Sequence, residues 1–501
     1  MAKKSKKDTL QPVQTLPENV HIEGAGDVEE QLITDTLESN YMPYAMSVIM
    51  SRAIPEIDGF KPSHRKLLYT MYRMGLLNNP RTKSANIVGS TMRLNPHGDA
   101  AIYETMVRLA TGNETLLHPF VDSKGNFGKA YSSDMEYAAS RYTEAKLAPI
   151  AEELFRDIDR DTVDFVDNYD ASTKEPTLFP VSFPTILVNS NLGIAVGMAS
   201  SICSFNLAEV CETTIALLRD SNHDITTTLL APDFSGGGKL IYDPEEIHRL
   251  YETGRGSVRV RGVYSYVRES NCIEITEIPS STSLEAIIAK VIELAKNGRI
   301  KEINDIRNET DKSGLKITID LKRGADPDKL MNRLYSLTPL EDSFSCNFNV
   351  LIGGIPQVLG VKDILTEWTA FRAECIRRRV YFNLSRAKER LHLLKGLQKI
   401  LVDIDKAISI IRATDEEAEV VPNLMIGFGI DKIQAEFVAE IKLRHLNKEY
   451  ILKRTADIEE LEKAISDMED ILKSRVRIRN IMIEELRNVI KRFGQPRKTE
   501  L

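Results

Sequence analysis

The sequence predicts a multidomain α+β fold, and three observations support this prediction. The chain has 501 residues, enough for about three domains of ~100–200 residues each. Its hydrophobic content of 42% and its charged content of 28% are typical of a folded protein. Its local patterns change near residues 155 and 361. We therefore expect short helices first, then a mixed α/β region, then long helices.

The N-terminal third has the pattern of a leader followed by short helices. Residues 1–30 are polar and have no hydrophobic periodicity, which predicts a flexible leader. From 31 to 155 the apolar segments are short and mostly helical. Turn signals separate them, namely Asp58-Gly59, Asn79-Pro80 and Asn95-Pro96.

Two of these short helices form a recognisable pair. A helix at 84–93, a turn at 95–98 and a second helix beginning at Asp99 predict a helix-turn-helix arrangement, which can enter a DNA major groove. Asp99 is expected to cap the second helix. The inward stripe of that helix is Ile102, Met106 and Leu109. Helix pairs of this kind are also common as plain packing.

Strand-like runs dominate residues 156–361. A helical stretch at 283–297 interrupts them, so we expect a mixed α/β domain. The predicted strands are 193–199, 258–263, 272–278 and 315–321.

Long helices are expected from residue 362 to 492, followed by a tail at 493–501. Apolar residues three and four apart form two arms that could each run ~40 residues, or ~60 Å. A Gly- and Pro-containing segment at 421–429 and a short helix near 431–445 separate the arms. This pattern predicts an antiparallel coiled coil, and two helices of a compact bundle are the alternative. The apolar positions are Leu384, Ala387, Leu391, Leu394, Leu401, Ile404, Ile408 and Ile411, then Ile458, Leu461, Ile465, Met468, Leu472, Ile483, Leu486 and Ile490.

Composition excludes several classes of protein. No apolar run approaches the ~20 residues of a membrane span, and the basic N-terminus lacks the apolar region of a secretory signal. The five cysteines are dispersed without a CxxC pair, which indicates reduced cytoplasmic thiols and no zinc site. One Trp and 7% aromatics offer little for base stacking. The net charge of −7 disfavours DNA binding, because DNA-binding domains are usually basic.

Two motifs imitate ligand sites and are rejected. The run at 235–239, SGGGK, lacks the spacing of a phosphate loop and is followed by Leu240, so it predicts a turn. Asp157, Asp159 and Asp161 resemble the start of a calcium loop. The required Gly and Glu are absent, which favours a solvated surface. We therefore expect neither a metal site nor an ATP site in this chain.

The local charge differs from the total. Residues 50–100 contain eight basic residues and three acids, a balance of +5 in a chain of −7. A solvated positive face is one interpretation. Neighbouring Gly, Pro and Ser residues favour the other, a phosphate-binding surface built from cations, hydroxyls and backbone N–H groups. The basic residues are Arg52, Lys61, Arg65, Lys66, Arg73, Arg81, Lys83 and Arg93, with His64 and His97 in the same window.

A tyrosine lies beyond this window beside an arginine. Tyr142 follows Arg141 and precedes Thr143 and Glu144, and we expect a helix to begin after them. A tyrosine can attack phosphorus, but its usual pKa of ~10 means that it needs a nearby cation or metal. Tyr142 is therefore a candidate nucleophile, and a structural tyrosine is the alternative.

Seven motifs resemble the A subunits of bacterial type IIA topoisomerases, the family formed by the A subunits of DNA gyrase and topoisomerase IV. The resemblance runs in order over about residues 31–500. The motifs are YMPYAMSVIMSRAIPEIDGFKPSHRKLLY (41–69), KSANIVG (83–89), NPHGDAAIYETMVRLA (95–110), GNFG (125–128), AASRYTEAKL (138–147), VDFVDNYD (163–170) and LVNSNLGIAVGMAS (187–200).

The resemblance assigns roles to individual residues. It implies that Tyr142 forms a phosphotyrosyl bond with the 5′ end of the cut strand and that Arg141 supports it. Arg52 would reach the scissile phosphate from the partner protomer's side, with His97 in the same phosphate-facing turn. An apolar wedge between base pairs is implied at Phe183. The residues implied to bind the DNA backbone are Lys61, His64, Arg65, Lys66 and Lys83.

Two departures from the family pattern affect the turn and the drug contact. The family has HPHGD where this chain has Asn95-Pro96-His97-Gly98-Asp99. The serine that contacts quinolones in the family is Ala100 here, whereas its acidic neighbour is kept as Glu104. We expect weakened quinolone poisoning, because Ala100 cannot hold the drug's metal-bound water.

The resemblance also implies an architecture and an assembly. Residues 31–155 would be a winged-helix-type DNA cleavage domain, 156–361 a tower, and 362–492 an antiparallel coiled coil carrying a dimer gate at about 421–449. Leu443, Leu446 and Tyr450 would be exposed in the monomer and buried in the dimer, and ordinary packing within the chain is the alternative.

The implied activity is ATP-dependent passage of one duplex through a transient break in another. It requires a homodimer, a gyrase B or topoisomerase IV B partner giving A2B2, and Mg²⁺ and ATP bound by that partner, in the bacterial cytoplasm. Gyrase and topoisomerase IV remain alternatives. A non-catalytic DNA-bending protein and a coiled-coil dimerisation scaffold are the rivals from other classes.

Overall fold

The structure, a computed structural model, describes residues 31–442 and 448–501. The chain divides into two compact units, Met1–Ser47 and Val48–Leu501. The leader predicted at 1–30 and two predicted dimer-gate residues, Leu443 and Leu446, lie outside the described residues. No helix in the part that is described is both long enough and apolar enough to cross a membrane.

Helices provide most of the regular structure in the described residues. The α-helices are α1 (Ile33–Thr36), α2 (Met42–Val48), α3 (Pro62–Arg73), α4 (Ser84–Thr91), α5 (Asp99–Leu109), α6 (Glu152–Phe155), α7 (Thr185–Val188), α8 (Leu207–Arg219), α9 (Pro244–Thr253), α10 (Leu284–Lys296), α11 (Pro327–Leu337), α12 (Val361–Leu401), α13 (Ile404–Ala413), α14 (Glu417–Phe428), α15 (Lys432–Ala439), α16 (Lys448–Lys473) and α17 (Arg475–Phe493). Short π-helical segments cover Leu37–Tyr41 and Ile49–Ala53, and 3₁₀ turns cover Pro149–Ala151 and Ile225–Thr227.

Sixteen strands form antiparallel sheets in the described residues. They are β1 (Thr82–Lys83), β2 (Val121–Lys124), β3 (Glu144–Leu147), β4 (Phe165–Asp167), β5 (Lys174–Pro176), β6 (Asn191–Ile194), β7 (Ala199–Ile202), β8 (Lys239–Ile241), β9 (Arg255–Arg261), β10 (Val263–Val267), β11 (Cys272–Glu277), β12 (Ile303–Asn308), β13 (Ile317–Leu321), β14 (Glu341–Asn347), β15 (Asn349–Ile352) and β16 (Ile355–Val358). The sheet orders are β1-β3-β2, β6-β7-β14-β9-β8, β10-β11-β13-β12, β15-β16 and β4-β5. The mixed α+β class is therefore confirmed.

A small three-stranded sheet flanks the helix pair α4–α5, because β1 precedes α4 whereas β2 and β3 follow α5. Strand β3 pairs with β1 through Lys83 and Glu144, and with β2 through Ser123 and Ala145. The helix predicted after Tyr142 begins later than expected, with a 3₁₀ turn over Pro149–Ala151 and then α6, because a strand comes first. The backbone is extended over Glu144–Leu147, and alternate side chains there are buried, which is the period of a strand.

The middle of the chain matches the predicted strands at 272–278 and 315–321 and the predicted helix at 283–297. Helices α10 and α11 share one apolar core with the four-stranded sheet. The strand predicted at 193–199 is instead the turn of a hairpin, because β6 ends at Ile194 and β7 begins at Ala199.

Two sets of long helices run antiparallel. Lys388 on α12 pairs with Glu469 on α16, and Lys395 pairs with Glu462, so one chain direction opposes the other. The first arm ends earlier than predicted, at Leu401, and Asp403 caps a separate helix α13. The second arm is broken at Ser474, which caps α17.

A small helical lobe lies between the two arms. Helices α13, α14 and α15 surround an apolar cluster that includes Leu424 and Ala435. The segment predicted as a Gly- and Pro-containing separator is largely helical, with Pro422 inside α14 and Gly429 ending it at a φ of 59°. Tyr450 packs beside a separate cluster of Leu394, Leu397 and Ile458.

Candidate functional site

Tyr142 presents its side chain to solvent. The residue is 66% exposed, and the guanidinium carbon of Arg141 lies 4.8 Å from the ring centroid. The Tyr142 amide donates to the carbonyl of Ala139 at 2.9 Å, which closes a tight turn just before β3. An exposed phenol with an adjacent cation is the arrangement that attack on a phosphodiester requires.

The helix pair holds the segment that carries Tyr142. At the start of α4, the Ser84 amide donates to the Thr143 carbonyl at 3.0 Å, and the Ala85 amide donates to the Ser140 carbonyl at 3.2 Å. The first turn of an α-helix has amides without helical partners. Here two of them bind the tyrosine segment, so α4 fixes its position.

The cap of helix α5 differs from the prediction. Gly98 occupies the cap position, and Asp99 lies in the first turn, where its carboxylate accepts from the Ala100 amide at 2.9 Å. The predicted inward stripe of Ile102, Met106 and Leu109 is buried as expected. Glu104 pairs along the helix with Arg108 at 2.6 Å. The exposed residues of this turn and helix include His97, Asp99, Ala100 and Glu104.

Cations cluster between the start of α3 and the end of α5. Burial lowers the pKa of Lys61 to about 8, and the charge of Arg108 acts in the same direction. Burial, then Lys61, Arg108 and Arg65, lower the pKa of His64 to about 3. The charge of Arg108 therefore disfavours the charged form of Lys61, and a bound phosphate would favour it. His64 itself is neutral at pH 7.

A hairpin lies against this cluster. The ammonium of Lys61 donates to the Leu192 carbonyl at 2.5 Å. A β-carbon on Gly193 would lie 2.0 Å from the Ala53 carbonyl oxygen, so only glycine permits this close approach. The hairpin of β6 and β7 is thereby held beside the segment of the exposed Arg52. Its residue Ile194 is 89% exposed.

Arg65, one of the residues predicted to bind the DNA backbone, is buried and paired within the chain in this structure. Its guanidinium donates to both carboxylate oxygens of Asp58, at 2.9 Å each, and the pair is buried. Asp58 also accepts from the amides of Phe60 and Phe179. A buried, fully bonded ion pair of this kind holds the local fold together, because removal of one partner leaves an unpaired buried charge.

Lys66 and Lys83 also have partners within the chain. The Lys66 ammonium donates to the Leu94 carbonyl at 2.9 Å and lies 3.3 Å from Glu175. Lys66 therefore supports the turn before α5. Lys83 is exposed and pairs with Glu144 at 3.0 Å, and this pair lowers the pKa of Glu144.

The residue predicted as the wedge lies in the protein core. Phe183 is 0% exposed and belongs to the main apolar core, so its ring cannot enter DNA in this conformation. Sequence reasoning missed Ile194, the exposed apolar residue on the hairpin. Its flanking glycines, Gly193 and Gly197, were the available turn signal.

The two rejected motifs have structural roles. Asp157 and Asp161 bind Arg379 and Arg378 on α12, so the acidic run docks a helix and is more than a solvated surface. The turn at 235–239 is confirmed, and the Gly238 amide there donates to Glu277 at 2.5 Å. In the described ranges no group of three or more His, Cys, Asp or Glu residues could hold a metal ion.

The chain is similar in sequence to known proteins over most of its length. The family model for the A subunit of DNA gyrase/topoisomerase IV matches residues 52–487. The chain is 40% identical over 489 residues to the DNA gyrase A subunit of Borreliella burgdorferi, covering 95% of this chain and 60% of that protein. It is 39% identical over 485 residues to the DNA gyrase A subunit of Ureaplasma parvum, covering 95% and 57%.

These matches define the class of protein. The chain belongs to the family of DNA gyrase and topoisomerase IV A subunits. It spans about 60% of the length of the curated relatives that it matches.

Proposed function

We propose that this chain is the DNA-cleaving component of a type II topoisomerase, with Tyr142 as the nucleophile. The observation that carries the proposal is the exposed Tyr142 ring with the Arg141 guanidinium 4.8 Å from its centroid. The segment that bears this ring is bound by the amides of α4. Family membership supports the same assignment.

The proposed reaction conserves phosphodiester energy. The Tyr142 hydroxyl oxygen attacks phosphorus, and the bond from phosphorus to the 3′ oxygen breaks. The phenol proton passes to solvent, and the 3′ oxygen takes up a proton to become a free hydroxyl. The 5′ phosphate stays on the tyrosine until the 3′ hydroxyl reverses the attack. The Arg141 cation supports charge on the phosphoryl oxygens.

Further basic groups are assigned to the DNA surface. Lys61, Lys83 and Arg52 would bind phosphates, with His97 in the turn before α5. The cationic cluster beside Arg108 supports this surface. Ile194 replaces Phe183 as the proposed wedge, because an exposed apolar side chain beside cations fits insertion between base pairs.

The proposed assembly completes the activity. We assign Mg²⁺ and ATP to a B-type partner in an A2B2 complex in the bacterial cytoplasm, and membership of the gyrase and topoisomerase IV A-subunit family supports this assignment. The proposed domains are the winged-helix, tower and long-helix domains. The lobe of α13–α15 with Tyr450 is the proposed dimer contact. Ala100 and Glu104 remain the proposed drug contacts.

The proposal is tested with the cognate B-type partner, Mg²⁺, ATP and plasmid DNA. Tyr142→Phe should bind DNA like the parent and lose all covalent adducts and strand passage. Tyr137→Phe is the matched control, because this exposed tyrosine is five residues away. Relaxation or decatenation by Tyr142→Phe would refute the nucleophile assignment. If the unmodified protein bends DNA but forms no covalent adducts, the result would favour an architectural protein.

A further inference from the structure

A chain of buried hydroxyl groups lies behind the exposed Tyr142. Thr143 is fully buried, and its hydroxyl oxygen lies 2.8 Å from the Ser84 hydroxyl and 2.8 Å from the Tyr103 hydroxyl. Ser84 is also fully buried, and Tyr103 is nearly so. The three residues come from three places: the start of α4, the middle of α5 and the residue before β3.

Tyr103 contacts the tyrosine segment on both sides of Tyr142. Its phenol donates to the Ala138 carbonyl at 2.8 Å, and the same oxygen bonds Thr143. Ala138 and Thr143 enclose the segment that carries Tyr142. One hydroxyl group therefore ties both ends of this segment to α5.

The Tyr103 side chain packs among aromatic rings, so the loss of its hydrogen bonds would be costly. The Tyr103 ring packs against Phe127 at a centroid distance of 6.3 Å and against Tyr137 at 5.5 Å. A buried hydroxyl group without a partner is unfavourable. Burial raises the pKa of Tyr103, so its phenol stays protonated and remains a donor.

We propose that Tyr103 is a positioning residue for DNA cleavage, and that it acts through Thr143 and Ser84 to set the place of Tyr142. This inference rests on the proposed nucleophilic role of Tyr142. Helix α5 carries Ala100 and Glu104 on its exposed side and Tyr103 on its buried side. The helix that faces the proposed DNA surface thus also aligns the nucleophile.

The test uses the complex with the B-type partner, Mg²⁺ and a short DNA duplex. Single-turnover formation of the covalent adduct is measured at saturating duplex, and duplex affinity is measured separately. Tyr103→Phe keeps the ring and removes the hydroxyl. Thr143→Val removes the hydroxyl at nearly constant volume, whereas Thr143→Ser keeps the hydroxyl and removes a methyl group. Tyr137→Phe is the control for loss of a neighbouring phenol.

We expect Tyr103→Phe and Thr143→Val to slow adduct formation by about 10- to 100-fold, since small misplacements of a reacting group cost that much. Duplex affinity should stay parental, and Thr143→Ser and Tyr137→Phe should cleave near the parental rate. Parental rates for Tyr103→Phe and Thr143→Val would overturn the proposal. So would a Thr143→Ser variant as slow as Thr143→Val, because packing would then be the cause.

Two further variants keep the outcomes distinguishable. If Thr143→Val fails to fold, as judged by its thermal unfolding, Ser84→Ala tests the end of the same chain and should also slow cleavage. Tyr142→Phe is assayed alongside. Adducts from Tyr142→Phe would refute the proposed function and this inference with it. An inactive Tyr142→Phe together with a parental Tyr103→Phe would refute the positioning role alone.

Discussion

The guanidinium of Arg141 lies over the ring of Tyr142, with its carbon 4.8 Å from the ring centroid. The two residues are adjacent, and the turn closed by the Ala139 carbonyl places them together at the surface. A cation at this distance is attracted by the ring face. The cation and the proposed nucleophile therefore lie on one exposed turn.

Removal of the Arg141 cation should slow cleavage much more than it weakens DNA binding. We expect Arg141→Ala to reduce the single-turnover rate of adduct formation by about 10²–10³-fold, as found for loss of one group that stabilises transition-state charge. Arg81→Ala is the control, because Arg81 is occupied by Asp122 at 2.7 Å. An unchanged rate for Arg141→Ala would contradict the assignment.

Arg65 and Lys61 should differ in their effects on folding and binding. Arg65→Ala leaves the buried Asp58 carboxylate without its cation, so we expect a loss of about 3–5 kcal/mol in the free energy of unfolding. Lys61→Ala should change that free energy much less, because it removes a single hydrogen bond to the Leu192 carbonyl and leaves no buried charge unpaired. It should reduce the slope of log affinity for DNA against log salt by about 1. Denaturant unfolding and salt titrations measure the two quantities.

Stability and DNA-bending measurements distinguish the two candidate wedge residues, Phe183 and Ile194. Phe183→Ala removes a fully buried ring and should cost about 3–5 kcal/mol of stability. Ile194→Ala changes an exposed side chain, so its thermal unfolding should match the parent while DNA bending, measured by energy transfer between duplex ends, decreases. Unchanged bending by Ile194→Ala would remove the hairpin from the proposed DNA surface.

DNA affinity should fall as the pH rises through about 8. The pKa of Lys61 is lowered to about 8 from its ordinary 10.5, and a bound phosphate favours the charged form, so binding takes up a proton above pH 8. The Lys61 contribution to folding stability depends on pH in the opposite direction. The unfolded chain binds more protons between about pH 8 and 10.5, so the Lys61 contribution to stability increases with pH there.

Titration of duplex affinity from about pH 7 to about 9.5, a range that spans the lowered pKa of Lys61, tests this expectation. Lys61→Arg is the matched control, because arginine keeps its charge over that range and should give a flatter profile. A parental profile for Lys61→Arg would assign the pH dependence to another group.

Local patterns of hydrophobic residues in the sequence were sufficient to predict many of the helices and strands. The stripe of Ile102, Met106 and Leu109 follows helical spacing, and α10 and β11 match the predicted ranges closely. Strand β3 was missed because its alternating burial extends over only four residues. A pattern that short does not separate a strand from a helix.

The site residues were harder to predict, because their roles depend on distant partners. Arg65 resembled a phosphate ligand, but Asp58 occupies it from a loop seven residues earlier. The aspartates at 157–161 found their cations on α12, which lies more than 200 residues further along the chain. Phe183 and Ile194 are both apolar, and only packing distinguishes the buried ring from the exposed side chain.

The most direct measurement identifies the amino acid that becomes linked to DNA. The complex with the B-type partner and Mg²⁺ is denatured during cleavage of a duplex, digested with nuclease and trypsin, and analysed by mass spectrometry. We predict a nucleotide attached through its 5′ phosphate to the tyrosine in the tryptic peptide that contains Tyr142. A nucleotide on any other residue, or attached through a 3′ phosphate, would contradict the account.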